Sequence, residues 1–204
     1  MMAETNYVNV EEAVGLLRAG EAVVFPTDTV YGVGVSVRDA PSPEVIYRAK
    51  ERSHRKPIAW LVDSVDALDV YGKIVPEEVK SLARTFWPGS LTIVVAASDA
   101  VPAAFRSAQN TIGLRMPNNP TALELIGALG CPIAASSANL AGNKPVCAAA
   151  DLDAAFTAKV AGVVADATEE GKSGVASTVV DCSTGHPVIL REGAVSLDDI
   201  KALW

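Results

Sequence analysis

Residues 22–34 read Ala22-Val23-Val24-Phe25-Pro26-Thr27-Asp28-Thr29-Val30-Tyr31-Gly32-Val33-Gly34. Ala22 to Phe25 have no polar position, the pattern of a strand covered on both faces, and Pro26 ends the run. Thr27, Asp28 and Thr29 then place two hydroxyls and a carboxylate at the strand end, where open α/β sheets gather ligand groups. A tight turn with locally satisfied hydroxyls is the other reading of these residues. Gly32 and Gly34 permit close backbone approach. Upstream the period changes to that of a helix. Asn9 is placed to cap a helix over residues 11–18 with Glu12 as the reciprocal acid, and Val10, Val14 and Leu17 share one face. Gly20 follows as a stop. Helix, buried strand and polar loop in succession are the unit of an α/β fold.

The alternation continues along the chain. A second helix is expected near residues 43–52 and a strand over 58–62. Pro76 opens a third helix with Val79, Leu82, Ala83 and Phe86 inward. Strands follow at 91–97 and 111–116. Asn119-Pro120 starts a helix that runs to Leu129 and stops at Gly130. A short strand at 132–135, a helix at 151–159, strands near 162–166, 177–182 and 187–191, and a terminal helix from Ser196 with Asp199 as its capping acid complete the pattern. The fold class expected is α/β, with about eight strands in layers covered on both sides.

Composition narrows the function. Half of the 204 residues are apolar and 20% are charged, the profile of an ordinary globular chain. No stretch approaches the ~20 apolar residues of a membrane span, and no secretory signal opens the chain. Three scattered cysteines, Cys131, Cys147 and Cys182, form no CxxC pair and fit a reducing cytoplasm. The net charge of −7 argues against a surface that grips nucleic acid throughout. One segment runs the other way: five of the nine residues Arg48 to Lys56 are Lys or Arg. A dense cationic segment on an acidic chain points to a small polyanion held locally, with a solvated basic face as the bland alternative.

Four further places carry chemistry. Lys50, Arg52 and Lys56 can converge on one phosphate chain if the helix breaks near Ser53, the Arg giving a planar fork and the Lys a compact charge. Arg115, within Thr111-Ile112-Gly113-Leu114-Arg115, is the one charge in an apolar strand; it needs either a protein carboxylate or a ligand's. The loop Ser136-Ser137-Ala138-Asn139 can present hydroxyls and N–H groups to an anion. Ser177-Thr178-Val179-Val180-Asp181 and Ile189-Leu190-Arg191 end two strands with a hydroxyl and a guanidinium. Gly171-Lys172-Ser173 is not a phosphate loop, because Asp166 stands where the earlier glycine belongs. The two histidines, His54 and His186, have no zinc spacing.

In order, PTDTVYGVG, a KxR followed by Lys56-Pro57, WPGSLT at 87–92, GLRMP at 113–117, SSANLAGNKP at 136–145, STVVD at 177–181 and LREG at 190–193 resemble the YrdC-like threonylcarbamoyl-AMP synthases over residues 8–195. The resemblance implies one twisted mixed-sheet domain over 1–204, helices on both sides and a concave, positively charged cleft; the C-terminal domain of longer relatives has no room. It implies a cytoplasmic nucleotidyltransferase that joins L-threonine, bicarbonate and ATP, with Mg2+ on the ATP and no metal site of its own. Its product would serve a separate threonylcarbamoyl transferase acting on the adenosine beside the tRNA anticodon, with a direct tRNA contact also possible. By motif, Lys50 and Arg52 would be catalytic. Lys50, Arg52, Lys56, Thr111, Ser137, Asn139 and Arg191 would hold ATP, and Thr29, Arg115 and Ser177 would hold threonine. The rival from another class is a noncatalytic RNA-binding module; a third reading is an inactive α/β domain.

Overall fold

Local capping starts the first helix, α1 (Val10–Arg18): the Glu12 N–H donates to Asn9 Oδ1, and the Asn9 N–H donates back to Glu12 Oε2, both at 2.9 Å. Its buried residues, Ala13, Val14 and Leu17, form the stripe that the spacing predicts. The computed structural model describes residues 5–52, 57–166 and 171–204.

The strands are β1 (Val23–Phe25), β2 (Gly32–Ser36), β3 (Ala59–Leu61), β4 (Leu91–Ala96), β5 (Thr111–Arg115), β6 (Ile133–Ser137), β7 (Gly162–Val163), β8 (Thr178–Asp181) and β9 (Val188–Arg191). They form one mixed sheet in the order β7-β1-β2-β6-β3-β5-β4-β8-β9. β1/β7, β3/β5 and β4/β8 are parallel pairs, and the other neighbours are antiparallel.

The remaining helices are α2 (Glu44–Lys50), α3 (Ala67–Tyr71), α4 (Glu77–Phe86), α5 (Pro120–Leu129), α6 (Ala154–Thr157) and α7 (Leu197–Lys201). Both sheet faces are covered. On one, Ile46, Leu68, Val79 and Leu82 from α2, α3 and α4 pack with Val24, Val33 and Trp60. Trp60 is held edge-to-face between Tyr71 and Phe105, with ring centroids 5.1 and 5.7 Å away. On the other, α1 and α5 cover Val23, Phe25 and Ile133. That cover stops near β3, and the sheet beyond it floors a cavity.

Most expected elements are present, with bounds shifted by a residue or two. Three readings need correction. Gly32–Ser36 is a strand, which its glycines concealed; Gly34 is required there because a Cβ would lie 2.4 Å from Ile133 Cγ2. α3 is a five-residue helix that no periodicity announced. The helix expected over 151–159 is broken into a 3₁₀ turn, Ala149–Asp151, and α6, because Asp153 caps a new start by accepting from the Ala155 N–H. In α4, Val79, Leu82 and Ala83 are buried as expected, whereas Phe86 is only partly so.

Candidate active site

The break after α2 creates the cationic corner. Glu51 takes left-handed angles (φ 49°), so the chain leaves the helix directly after Lys50 and returns Arg52 toward the sheet. Lys50 is buried, and its ammonium donates to the backbone carbonyls of Ser137 and Asn139, the latter at 2.8 Å, and to Asn139 Oδ1 at 3.3 Å. Arg52 Nη1 donates to Ser136 Oγ at 2.8 Å. Arg52 Nε is buried and takes no partner among the described residues. Burial, with the Arg52 charge second, brings Lys50 down to about 8. Burial also lowers Arg52. Lys56, the third expected cation, lies outside the described residues.

The second corner is built by the loop between β1 and β2. Arg115 is buried and makes three hydrogen bonds. Nη2 donates to Asp28 Oδ1 at 2.6 Å, Nη1 to Thr29 Oγ1 at 3.1 Å and Nε to the Gly89 carbonyl at 3.0 Å. Asp28 also accepts from the Asn118 N–H and from Ser90 Oγ. The partner of Arg115 is therefore a protein carboxylate. Arg115 still faces the cavity, and three bonds leave part of its five-donor fork for another acceptor. Burial lowers Arg115, Asp28 opposes that shift, and Arg191 adds to it.

Ser177 lines the same cavity. Its hydroxyl pairs with Thr92 Oγ1 at 2.9 Å and accepts from Arg191 Nη2 at 3.0 Å; Arg191 also holds the Ser177 carbonyl through Nε and Nη2. Burial lowers Arg191, and the charge of Arg52 adds to that shift.

The cavity measures about 540 Å³, within the range of small-molecule sites. Thr29, Lys50, Arg52, Thr111, Arg115, Ser137, Asn139, Ser177 and Arg191 all line it. Every expected site residue inside the described part of the chain thus reaches one space. Among the described residues its charged lining is four cations and a single carboxylate, Asp181. Among the described residues no group of three His, Cys, Asp or Glu side chains could hold a metal ion, and no helix is long and apolar enough to cross a membrane.

The Sua5/YciO/YrdC family model, described as "Telomere recombination", matches residues 15–193. The chain belongs to that family. It is 38% identical over 189 residues to "Threonylcarbamoyl-AMP synthase" of Pyrococcus abyssi, covering 93% of this chain and 55% of the relative. It is 36% identical over 200 residues to "Threonylcarbamoyl-AMP synthase" of Bacillus subtilis, covering 98% of this chain and 57% of the relative. The solved P. abyssi Sua5 complexed with L-threonine superposes with a TM-score of 0.87 at 36% identity, over 95% of this chain and 56% of that one. The chain spans a little over half the length of these relatives. The family and the mixed-sheet architecture expected from the motifs are both borne out.

Three pairings at this Sua5/YciO/YrdC site were not read from the sequence: Asp28 as the anchor of Arg115, Ser136 as the partner of Arg52, and Thr92 as the partner of Ser177. Each lies within a quoted motif. The pairing is across 87, 84 and 85 residues, which local spacing does not encode.

Proposed function

We propose that this chain is an L-threonylcarbamoyladenylate synthase, a cytoplasmic nucleotidyltransferase whose catalytic unit is one domain over residues 1–204. The observation that carries the reading is the convergence, in one cavity, of a polyanion corner at Lys50 and Arg52 with an Arg115–Thr29–Ser177 corner. Membership in a family with relatives named threonylcarbamoyl-AMP synthase supports it.

In this reading the triphosphate of ATP lies against Lys50, Arg52, Ser137 and Asn139, with Lys56 as a further ligand, and Thr111 and Arg191 complete the nucleotide site. The carboxylate of L-threonine meets the unused N–H donors of Arg115, with Thr29 and Ser177 beside it. The threonine nitrogen, as the free amine, attacks carbon dioxide and gives an N-carboxylate with loss of a proton to solvent; with bicarbonate the carbon–hydroxyl bond breaks and the hydroxyl leaves with that proton as water. An oxygen of that carbamate attacks the α-phosphorus, the bond to the β-phosphate oxygen breaks, and pyrophosphate leaves. No enzyme nucleophile is needed. Lys50 and Arg52 serve as the catalytic residues by matching the charge that builds on the leaving pyrophosphate in a fixed, partly desolvated setting. Magnesium enters as part of the ATP substrate, held by phosphate oxygens and water.

The product is a reactive mixed anhydride, so a transferase acting on tRNA adenosine is its proposed consumer. A noncatalytic RNA-binding module is less well supported, because these cations line a cavity rather than an exposed stripe. The test is incubation of ATP, L-threonine and labelled bicarbonate with the protein. The reading expects label in an adenylate that also contains threonine, formed at least about tenfold more slowly by Arg52→Ala. Labelled carbamate without adenylate formation would contradict it.

A further inference from the structure

Among the described residues, one charged lining residue has no part in that reaction. Asp181 is the only carboxylate among the described cavity residues. One of its oxygens accepts from the Ser183 N–H at 2.8 Å, and the other takes no partner among the described residues. Register places it at the end of a row that crosses the sheet: Ala135 faces Ala59, Gly113 faces Val94, and Val94 faces Asp181. Gly113 closes the row, since a Cβ on it would lie 3.5 Å from Ala59 Cβ and 3.6 Å from Val94 Cγ2. All five residues line the cavity. The floor there is a low apolar shelf, two alanines, a glycine and a valine, that ends in a hydrogen-bond acceptor.

We infer that this shelf seats the base of the nucleotide and that Asp181 selects a 6-aminopurine by accepting a hydrogen bond from the exocyclic amine. The inference rests on the nucleotide-binding reading of the cavity and names what that site selects. Two distances favour a base over other partners for the carboxylate. Four inter-strand steps separate β6, which holds the Lys50 and Arg52 corner, from β8, about 19 Å at ~4.8 Å per step, the reach of an extended nucleoside triphosphate. A metal ion on the phosphates is therefore beyond Asp181. Along β8, Ser177 and Asp181 are four residues apart, about 13 Å, so an amino acid held at Ser177 and Arg115 places its amine far from Asp181 as well. A planar ring gains contact on a flat apolar floor. A carboxylate at its edge accepts from an N–H and repels a carbonyl oxygen, as when Asp or Glu reads an exocyclic amine on a nucleic-acid base.

The experiment is equilibrium titration, without threonine, of wild type, Asp181→Ala and Asp181→Asn with ATP and with purine riboside 5′-triphosphate, which lacks only the 6-amine. The wild type is expected to bind the purine riboside triphosphate about tenfold more weakly than ATP. In both variants that ratio is expected to collapse to within about twofold. Asp181→Asn keeps an acceptor for the Ser183 N–H, so it reports on the base even if Asp181→Ala loosens the turn. Equal binding of the two nucleotides by wild type, or a deficit that persists in the variants, overturns the inference. If wild type binds ATP but makes no adenylate from threonine, the synthase reading falls and the ratio still decides the role of Asp181. If it binds neither nucleotide, both fall.

Discussion

Arg115 and Asp28, 87 residues apart in sequence, form an ion pair of 2.6 Å in which both side chains are nearly buried, 8% and 10% exposed. Asp28 also ties Ser90 and the backbone of Asn118, so it fixes three segments at once. Removing one member of such a pair leaves a charge desolvated and uncompensated. Asp28→Ala is expected to cost roughly 3 kcal/mol in chemical denaturation. A loss under ~1 kcal/mol would show that water replaces Asp28 freely.

Arg115 itself is expected to set the threonine requirement. Arg115→Ala should raise the KM for threonine by tenfold or more while moving the KM for ATP by less than about threefold. Steady-state kinetics with each substrate varied in turn checks this. Equal rises in both would remove Arg115 from the threonine corner.

Lys50 gives a pH signature. Its ammonium ionises near 8 because burial, and then Arg52, disfavour the charge. Affinity for ATP is therefore expected to fall as pH rises through about 8, and Lys50→Arg should remove that step because a guanidinium stays charged. Stability moves in the opposite sense. Between about 8 and the ordinary 10.5, the unfolded chain holds a proton that the folded chain has released, so this group's penalty is full below 8 and is relieved as pH rises across the window. Calorimetric titration with ATP near pH 8, in buffers of different ionisation enthalpy, should register proton uptake.

Arg52→Ala should lower kcat/KM for ATP by about 10–150-fold, the loss of a charge-assisted contact worth roughly 1.5–3 kcal/mol. Unchanged turnover would place the polyanion elsewhere.

How far the sequence exposed this site depends on how local each interaction is. The caps at Asn9 and Asn119 and the stop at Gly130 were legible because each involves groups within one turn. The strand Gly32–Ser36 was not, since its glycines are chosen for close packing on Phe25 and Ile133 and carry no strand propensity. The KxR cations were legible as a charge cluster. Why they converge was not: it depends on the left-handed turn at Glu51 and on carbonyls of Ser137 and Asn139 contributed from across the sheet. Arg115 was recognisable as a charge needing a partner, and only the fold reveals that Asp28 supplies it.

A second nearly buried pair makes a stability prediction. Lys172 Nζ lies 3.0 Å from Asp166 Oδ2 and 5.1 Å from the centre of the Tyr31 ring, and the adjoining Ser173 and Gly174 N–H groups donate to the Asp28 and Thr29 carbonyls. Lys172→Met should destabilise by roughly 3 kcal/mol, and Lys172→Met combined with Asp166→Leu should recover much of that loss. Thermal denaturation of the two variants checks it; an equally unstable double variant would contradict it.

The central claim is that the two corners of the cavity activate threonine at the expense of ATP. The most direct test is release of pyrophosphate from ATP in magnesium and bicarbonate, measured with and without L-threonine. The account predicts release that depends strongly on threonine and falls by about 10–150-fold in Arg52→Ala. Release that is the same without threonine, or no release at all, would contradict it.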